Sequence, residues 1–372
     1  MATLTYAELK TNVASLVSAS NLASLSLTGS RNNTVGLIDK IGAIVQLDTM
    51  YQLDKLDFMD DFYLEYGKTI EEWNEDLILP VAFNASGSTA MAPHDGTDRP
   101  ATYSYTIGAR TIPQTIRDND FNRAVHNADQ LAEIIAIKVK RLSDSMYVYR
   151  YGVKREMIGK YIGKVEAAQT NAGSNAYATS TAYSAGTFVY SSGVYGVVFK
   201  PIPASNTQTW AQLVADGTII VLTKMIQTLA KPQDTSTGEA FIEAVKIAVE
   251  EAVDENSGNS LNGNQLGATE GLVLVMLQKI KPNLEVQTLA GAFHEDKLAL
   301  PVEIRVVPDF GSYSGKVYAV LMDKRTLRLH NTFRQVGDQR NEEGAFTNIF
   351  SHTEDTAFAS RNTFVRVFKD TN

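Results

Sequence analysis

The longest regular pattern of apolar positions along the chain runs from residue 128 to residue 163. Apolar side chains recur there at steps of three or four residues, at Leu131, Ile135, Val139, Leu142, Met146, Tyr149, Val153, Met157 and Tyr161. This spacing places them along one side of a helix. The pattern therefore predicts a single helix of about thirty residues, which we interpret as a structural spine.

Shorter patterns on the C-terminal side predict both helices and strands. Residues 236–253 have the amphipathic spacing of a helix, and residues 282–293 predict another. A continuous apolar run predicts a buried strand at residues 272–276, another strand is predicted at 302–307, and the C-terminus predicts short strands at 317–322, 327–330, 346–350 and 363–368. This mixture predicts a fold of the α+β class.

Three other segments stand out by their composition. Residues 1–35 are rich in Ser, Thr and Asn, which is typical of an extended or partly helical arm; the alternative is a frayed terminus. Residues 84–100 are small, polar and proline-containing, and they predict the long tip of a pair of strands. Residues 172–216 begin with small polar residues and continue with aromatic residues between glycines, which predicts a small β unit inserted after the spine helix.

The composition limits the class of protein. The chain has 372 residues, 44% of them hydrophobic and 20% charged, so we expect two or three interleaved subdomains with buried cores. The formal net charge of −8 argues against a dedicated nucleic-acid reader, which needs a surplus of Lys and Arg. The chain has no cysteine, which excludes disulfides and thiolate zinc sites. No apolar run reaches the length of a membrane span, and we expect the subunit to be made in the cytoplasm.

Motifs for catalysis or metal binding are not apparent. Residues 67–69 resemble the end of a phosphate-binding loop, but Phe62 occupies the position of the glycine that such a loop needs. The residues after His294 fail the His-Glu-x-x-His zinc pattern at its last position. Adjacent carboxylates such as Asp60 and Asp61 would point to opposite faces of a strand, which does not suit a catalytic pair. We therefore predict no catalytic residue, no cofactor, no metal site and no enzyme activity.

The C-terminal segment carries a resemblance to a known family. Residues 317–327 contain a strand pattern followed by Asp-Lys, residues 340–344 read Arg-Asn-Glu-Glu-Gly, and Ser360 and Arg361 precede the last strand. This order resembles that of tailed-phage major capsid proteins of the phi-29 kind, a podophage group. Those proteins have a strand, a short helix, an Arg-Asn-x-x-Gly turn and a final strand after a Ser-Arg pair. Residues 41–45 and 67–72 agree with the family in order and spacing.

The resemblance implies the Hong Kong 97-type capsid fold. It implies an N-terminal arm (residues 1–39), parts of a peripheral domain (40–70, 111–171 with the spine helix, and 301–372), an extended loop (71–110) and an axial domain (217–300). Residues 172–216 are extra to that fold.

The extra segment is similar to small chitin-binding-type carbohydrate modules, because it contains Tyr-x-x-Gly-x-x-Val followed by Gly-x-Tyr. Under that resemblance Tyr190, Tyr195 and Trp210 would stack on sugar rings. The alternative, which we favour, is that these aromatic residues form the core of a β unit that is too small to fold otherwise.

The function implied by the capsid resemblance is self-assembly. Copies of the chain would form the hexamers and pentamers of the icosahedral head of a small tailed phage, and the protein would reside in the virion. Scaffold and portal proteins would be its partners, packaged DNA would be contacted weakly on the inner face, and no membrane would be involved. Two alternatives remain open: an encapsulin-like nanocompartment shell, and a carbohydrate-binding adhesive protein acting through residues 172–216.

Overall fold

The structure is a computed structural model in which the chain divides into two compact units. It describes residues 54–61, 63–64, 67–72, 87, 101–102, 104–117, 128–170, 175–222, 225–253, 255–257, 259–261, 264–266, 271–284, 300 and 302–371. The first unit comprises Met1–Lys68, Thr106–Lys154 and Leu329–Thr356, and the second comprises Thr69–Tyr105, Arg155–Arg328 and Ala357–Asn372. The expected N-terminal arm, nearly all of the tip at residues 84–100 and most of the helix expected at residues 282–293 lie outside the described residues.

The described elements are three helices, a short 3-10 turn and sixteen strands. In chain order they are the 3-10 turn (Asp57–Met59), β1 (Glu71–Glu72), β2 (Ala101–Thr102), β3 (Ser104–Arg117), α1 (Ala128–Thr170), β4 (Asn175–Ala176), β5 (Phe188–Ser191), β6 (Val194–Val198), α2 (Trp210–Ala215), β7 (Ile219–Val221), β8 (Ile226–Thr228), α3 (Thr235–Val253), β9 (Glu255–Ser257), β10 (Asn264–Leu266), β11 (Leu272–Leu277), β12 (Glu303–Val307), β13 (Val317–Asp323), β14 (Leu327–Asn341), β15 (Phe346–Ala359) and β16 (Val365–Lys369).

The predicted spine helix is confirmed as α1, which has 43 residues and continues past residue 163. Its buried side differs from the predicted stripe. Leu142, Met146 and Tyr161 are buried as expected, but between them Arg150 and Lys154 take the buried positions. Tyr149, Val153 and Met157, which the apolar pattern placed on the buried side, are only partly buried. The sequence pattern failed there because it treats a charged residue as a surface residue.

In the first unit, strands β14, β15 and β3 form one sheet in that order. Cross-strand side chains mark the pairing of β3 with β15: Thr111 Oγ1 lies 2.8 Å from His352 Nδ1, and the Thr115 hydroxyl donates to Asn348 Oδ1 at 2.7 Å. The strands predicted at residues 327–330 and 346–350 are confirmed as parts of β14 and β15. Strand β14 continues to Asn341, without the short helix of the family order.

The turn expected at residues 340–344 is present between β14 and β15, where the Gly344 amide donates to Asn341 Oδ1 at 2.8 Å.

In the second unit, a five-stranded mixed sheet has the order β12-β11-β13-β16-β8. Its strands β11 and β13 are buried over nearly their whole length, which explains their continuous apolar sequences. The core beside the sheet contains Phe241 and Val245 of α3 together with Leu274, Tyr318 and Phe368. The helix predicted at residues 236–253 and the strands predicted around residues 272–276, 302–307 and 317–322 are thereby confirmed.

A separate four-stranded sheet, in the order β4-β5-β6-β7, lies within residues 175–221 of the second unit. Helix α2 accompanies it, with Thr209 and Gln212 forming a capping box at its start. A small core holds this segment together, formed by Tyr183, Val189, Val198, Ile202, Leu213 and Ile219.

Candidate functional site

The buried side of α1 carries a lysine between two carboxylates in the first unit. Lys154 has no exposed surface. Its Nζ contacts Oδ2 of Asp54, and it lies 2.5 Å from Oδ2 of Asp60. The two aspartates flank the 3-10 turn, in which Met59 is fully buried. A single ammonium group therefore holds both ends of this short segment against the helix.

Two arginines extend these contacts to β14 and β15. Arg150 has one nitrogen 3.1 Å from Oδ1 of Asp60 and its Nε 3.6 Å from Oδ1 of Asp355 on β15. Burial lowers the pKa of Arg334 on β14, the charge of Arg150 lowers it further, and Asp355 and Asp60 act in the opposite direction. We call these groups the ion network; it consists of Lys154, Arg150, Arg334, Asp54, Asp60 and Asp355.

The ion network balances three positive groups against three carboxylates. Tyr147 and Ser143 of α1 border the same small cleft as Asp54, Asp60 and Arg334. The pKa of Tyr147 is raised to about 12, first by burial and then by the charge of Asp54, with smaller effects from Tyr151 and Asp60. The phenol therefore stays protonated at neutral pH and adds no charge to the network.

Beyond Asp60, the chain runs beside β14. The amide of Asp61 donates to the carbonyl of Leu329 at 3.3 Å, and that of Leu64 donates to the carbonyl of Asn331 at 3.0 Å. Lys68 then donates to Glu354 on β15 at 2.7 Å. Residues 54–68 are thus attached to α1, β14 and β15 in turn.

In the second unit, the short strands β1 and β2 pair antiparallel, with Glu71 opposite Thr102 and Glu72 opposite Ala101. The hydroxyl of Ser360 donates to Oε1 of Glu72 at 2.6 Å. The two ends of the chain segment 73–100 are thereby held side by side.

A loop between β12 and β13 attaches to α1 in the second unit. Arg155 contacts both carboxylate oxygens of Asp309 at 2.7 Å. Both the amide and the hydroxyl of Ser312 donate to Glu156, at 2.7 and 2.6 Å, and these hydrogen bonds lower the pKa of Glu156. Tyr313 donates to Glu166 at 2.9 Å. Three successive contacts fix the loop on the helix.

The structure brings together two of the three aromatic residues considered for sugar stacking. Tyr190 and Tyr195 face each other across β5 and β6, with ring centroids 6.0 Å apart. Trp210 packs on Tyr177 at 5.9 Å and lies above Gly196. Because successive residues of a strand point to opposite faces, Gly196 and Tyr195 face opposite sides of the sheet. Trp210 therefore lies on the side of the small core, away from the tyrosine pair.

The histidines and carboxylates of the described residues form no group of three or more that could hold a metal ion. Buried His330 has its Nε2 3.8 Å from Asp61 Oδ2, while His352 contacts Thr111. His94, His126 and His294 lie outside the described residues. None of the described helices is long and apolar enough to cross a membrane.

The ion network was missed by the analysis of the sequence. Arg150 and Lys154 are four residues apart and belong to the same side of a helix as Met146 and Ile158. Two cations at this spacing on an apolar side of a helix are the only local sign of a buried ion pair. This spacing does not identify the carboxylates that pair with them.

The comparisons with known proteins identify the family. Residues 4–369 match the family model described as Phi29-like phage major capsid protein. The chain belongs to this family. It is a major capsid protein of a phi29-like tailed phage, which forms the icosahedral head and is part of the virion. The family is one of structural proteins. No curated protein sequence matches the chain.

Solved structures show the fold of the capsid protein. The capsid structure of Staphylococcus phage Andhra contains a chain with 11% identity and a TM-score of 0.55, and the match covers 87% of this chain and 86% of that one. The structure of the head fibre and inner core protein gp22 of native bacteriophage P68 contains one with 10% identity and a TM-score of 0.52, covering 85% and 84%. The predicted Hong Kong 97-type capsid fold is confirmed at this level. The family match decides between the phage head and the nanocompartment shell in favour of the phage head.

Proposed function

We propose that the capsid protein closes the head through two segments that reach neighbouring copies, the N-terminal arm (residues 1–39) and the extended loop (residues 71–110). The observation that carries the proposal is the antiparallel pairing of β1 with β2, which holds the ends of residues 73–100 together. At about 3.3 Å per residue, the two halves of this segment can each extend about 45 Å. We expect a segment of that length to reach an adjacent subunit.

The same proposal assigns the other residues of the chain to domains. The peripheral domain consists of residues 40–70, 111–171 and 301–372, with α1 as its spine, and the axial domain consists of residues 217–300. Helix α1 lies within residues 111–171, which supports its place in the peripheral domain; the five-stranded sheet combines strands of both domains, β8 and β11 with β12, β13 and β16. Residues 172–216 form a unit inserted between the two domains, supported by the separate small core of the segment.

The partners of the subunit are other copies arranged in hexamers and pentamers, a scaffold protein and a portal protein. DNA is contacted weakly on the inner face. The net charge of −8 supports a weak contact, because a strongly basic wall would hold DNA through many phosphate contacts.

Deletion of residues 86–98 tests the extended loop. This change leaves β1 and β2 intact, so the subunit should remain folded and soluble but form no closed shells in electron micrographs. A matched variant carries a Gly-Ser linker of equal length in place of residues 86–98, which separates the effect of length from that of sequence. Normal closed particles from the deletion would contradict the proposal.

A second candidate function is sugar binding at the virion surface. The observation that favours it is the pair of partly exposed rings of Tyr190 and Tyr195 on one face of the four-stranded sheet. Aromatic rings stack on the apolar faces of sugars, as in the chitin-binding-type modules that this segment resembles.

Intact particles applied to a glycan array test this function. Replacement of both tyrosines by alanine should abolish binding, while Trp210→Ala acts only through the fold of the segment. Absence of binding by unmodified particles would rule the function out.

A further inference from the structure

We infer that the ion network is a positioning device for shell assembly, in which Lys154 fixes the direction of the chain on both sides of the 3-10 turn. In the sequence, Asp54 lies on the side of this turn that leads to the proposed arm, and Asp60 lies on the side that leads to the proposed extended loop. The inference rests on the proposed function, because it assigns an anchor to the two segments proposed to reach neighbouring copies.

The apolar contacts of this segment secure it without defining its exact position. Leu56 and Met59 are fully buried, but burial of apolar surface has no direction and tolerates small shifts. The contacts of Lys154 with its carboxylates do not tolerate such shifts. A buried ammonium group that loses its carboxylates is left as an uncompensated charge, which is strongly unfavourable. The ion pairs therefore favour one position of the segment on α1.

Stability alone does not account for such a network. Buried ion pairs usually contribute less to the free energy of folding than apolar side chains of similar volume, because both charges lose their hydration. The ion pairs instead fix the relative positions of the elements that they connect. The network joins four parts of the chain by directed contacts. The 54–61 segment contributes Asp54 and Asp60, and α1 contributes Arg150 and Lys154. Arg334 belongs to β14 and Asp355 to β15.

Small errors at such an anchor have large effects on assembly. Contacts between copies close into a shell only when the rotation between them is correct. A loosely held segment should therefore allow shells of several curvatures.

The double variant Asp54→Asn with Lys154→Met tests the inference. It removes one positive and one negative group, so Arg150 and Arg334 remain balanced by Asp60 and Asp355. Asn also keeps an oxygen for the Leu56 amide, which donates to Asp54 Oδ1 at 2.8 Å. We expect a subunit with an unchanged or higher unfolding temperature, whose particles, expressed alongside the other head proteins, lose the single diameter of the normal head.

A matched control is Arg155→Met with Asp309→Asn, which removes the neighbouring, more exposed ion pair of α1. It should give particles of normal diameter. If the double variant does not fold, Lys154→Arg serves instead, because it keeps the charge but presents a wider group, and it should broaden the distribution of diameters too. Particles of one normal diameter from a folded network variant would overturn the inference. If deletion of residues 86–98 still prevents closure in that case, the proposed function stands and only the role of the network fails.

Discussion

Gly159 of α1 lies directly against the backbone of Phe310, so that a Cβ atom at position 159 would overlap the Phe310 carbonyl oxygen. Phe310 belongs to the loop that Arg155 and Glu156 hold on the helix, and its side chain is buried. A carbonyl oxygen of the main chain cannot move aside as the end of a flexible side chain can. The close approach of helix and loop therefore requires glycine at this position.

Gly159→Ala should destabilise the protein by about 1–3 kcal/mol, since overpacking against a fixed backbone outweighs the gain in helix propensity. Gly163→Ala is the matched control, because nothing lies within 4 Å of a Cβ at that position of the same helix. The control should be neutral or more stable by up to about 1 kcal/mol. Urea unfolding of both variants measures the difference, and equal effects would contradict the close approach.

Lys154→Met alone should destabilise the subunit by about 3–5 kcal/mol, because Asp54 and Asp60 would lose their common cation in a buried site. The whole of this loss should be recovered when Asp54→Asn is added, because the double variant leaves no uncompensated charge. Lys160→Met, at a side chain that is 73% exposed, should change the free energy of unfolding by no more than about 0.5 kcal/mol. A Lys154 variant as stable as the Lys160 variant would show that the contacts do not form in solution.

The hydrogen bonds from Ser312 to Glu156 should make the loop contact depend on pH. They lower the pKa of Glu156 in the folded protein, so their contribution to stability is fully present above the ordinary Glu pKa of about 4.3 and is lost as pH falls through the lowered value. Ser312→Ala should therefore lower the unfolding temperature at pH 7 and have a smaller effect near pH 3. Ser314→Ala, at an exposed position of the same loop, is the control. An effect of Ser312→Ala that is constant from pH 7 to pH 3 would argue against a hydrogen bond to the ionised carboxylate.

The opposite placement of Trp210 and the tyrosine pair predicts unequal effects on folding. Trp210→Ala should destabilise the 175–221 segment by about 2–4 kcal/mol, because it opens a cavity above Gly196 and beside Tyr177. Tyr190→Ala should destabilise it less, since its ring pairs with Tyr195 on the face opposite the small core. Limited proteolysis of the segment compares the two variants. Equal protection in both would indicate that Trp210 is not part of the core.

Much of the fold follows from local properties of the chain. The spacing of apolar residues predicts α1 and α3, and short apolar runs predict β11 and β13, while the turn before β15 was expected from the family resemblance. Each of these signals lies within one element, where helix and strand periodicities act over a few residues. The order of the motifs along the chain was also sufficient to recognise the resemblance to the family.

The buried ion network and the separation of the aromatic residues are decided only by the tertiary structure. Lys154 is 100 residues from Asp54 and 94 from Asp60, so no periodicity links them. Arg150 and Lys154 were not among the residues of the predicted apolar stripe, because a charge is rarely buried unless partners from other segments compensate it. In the same way, the register of β5 with β6 and the position of α2 place Trp210 and Tyr195 on opposite faces. The sequence determines which elements form, whereas pairing between distant segments depends on how those elements pack.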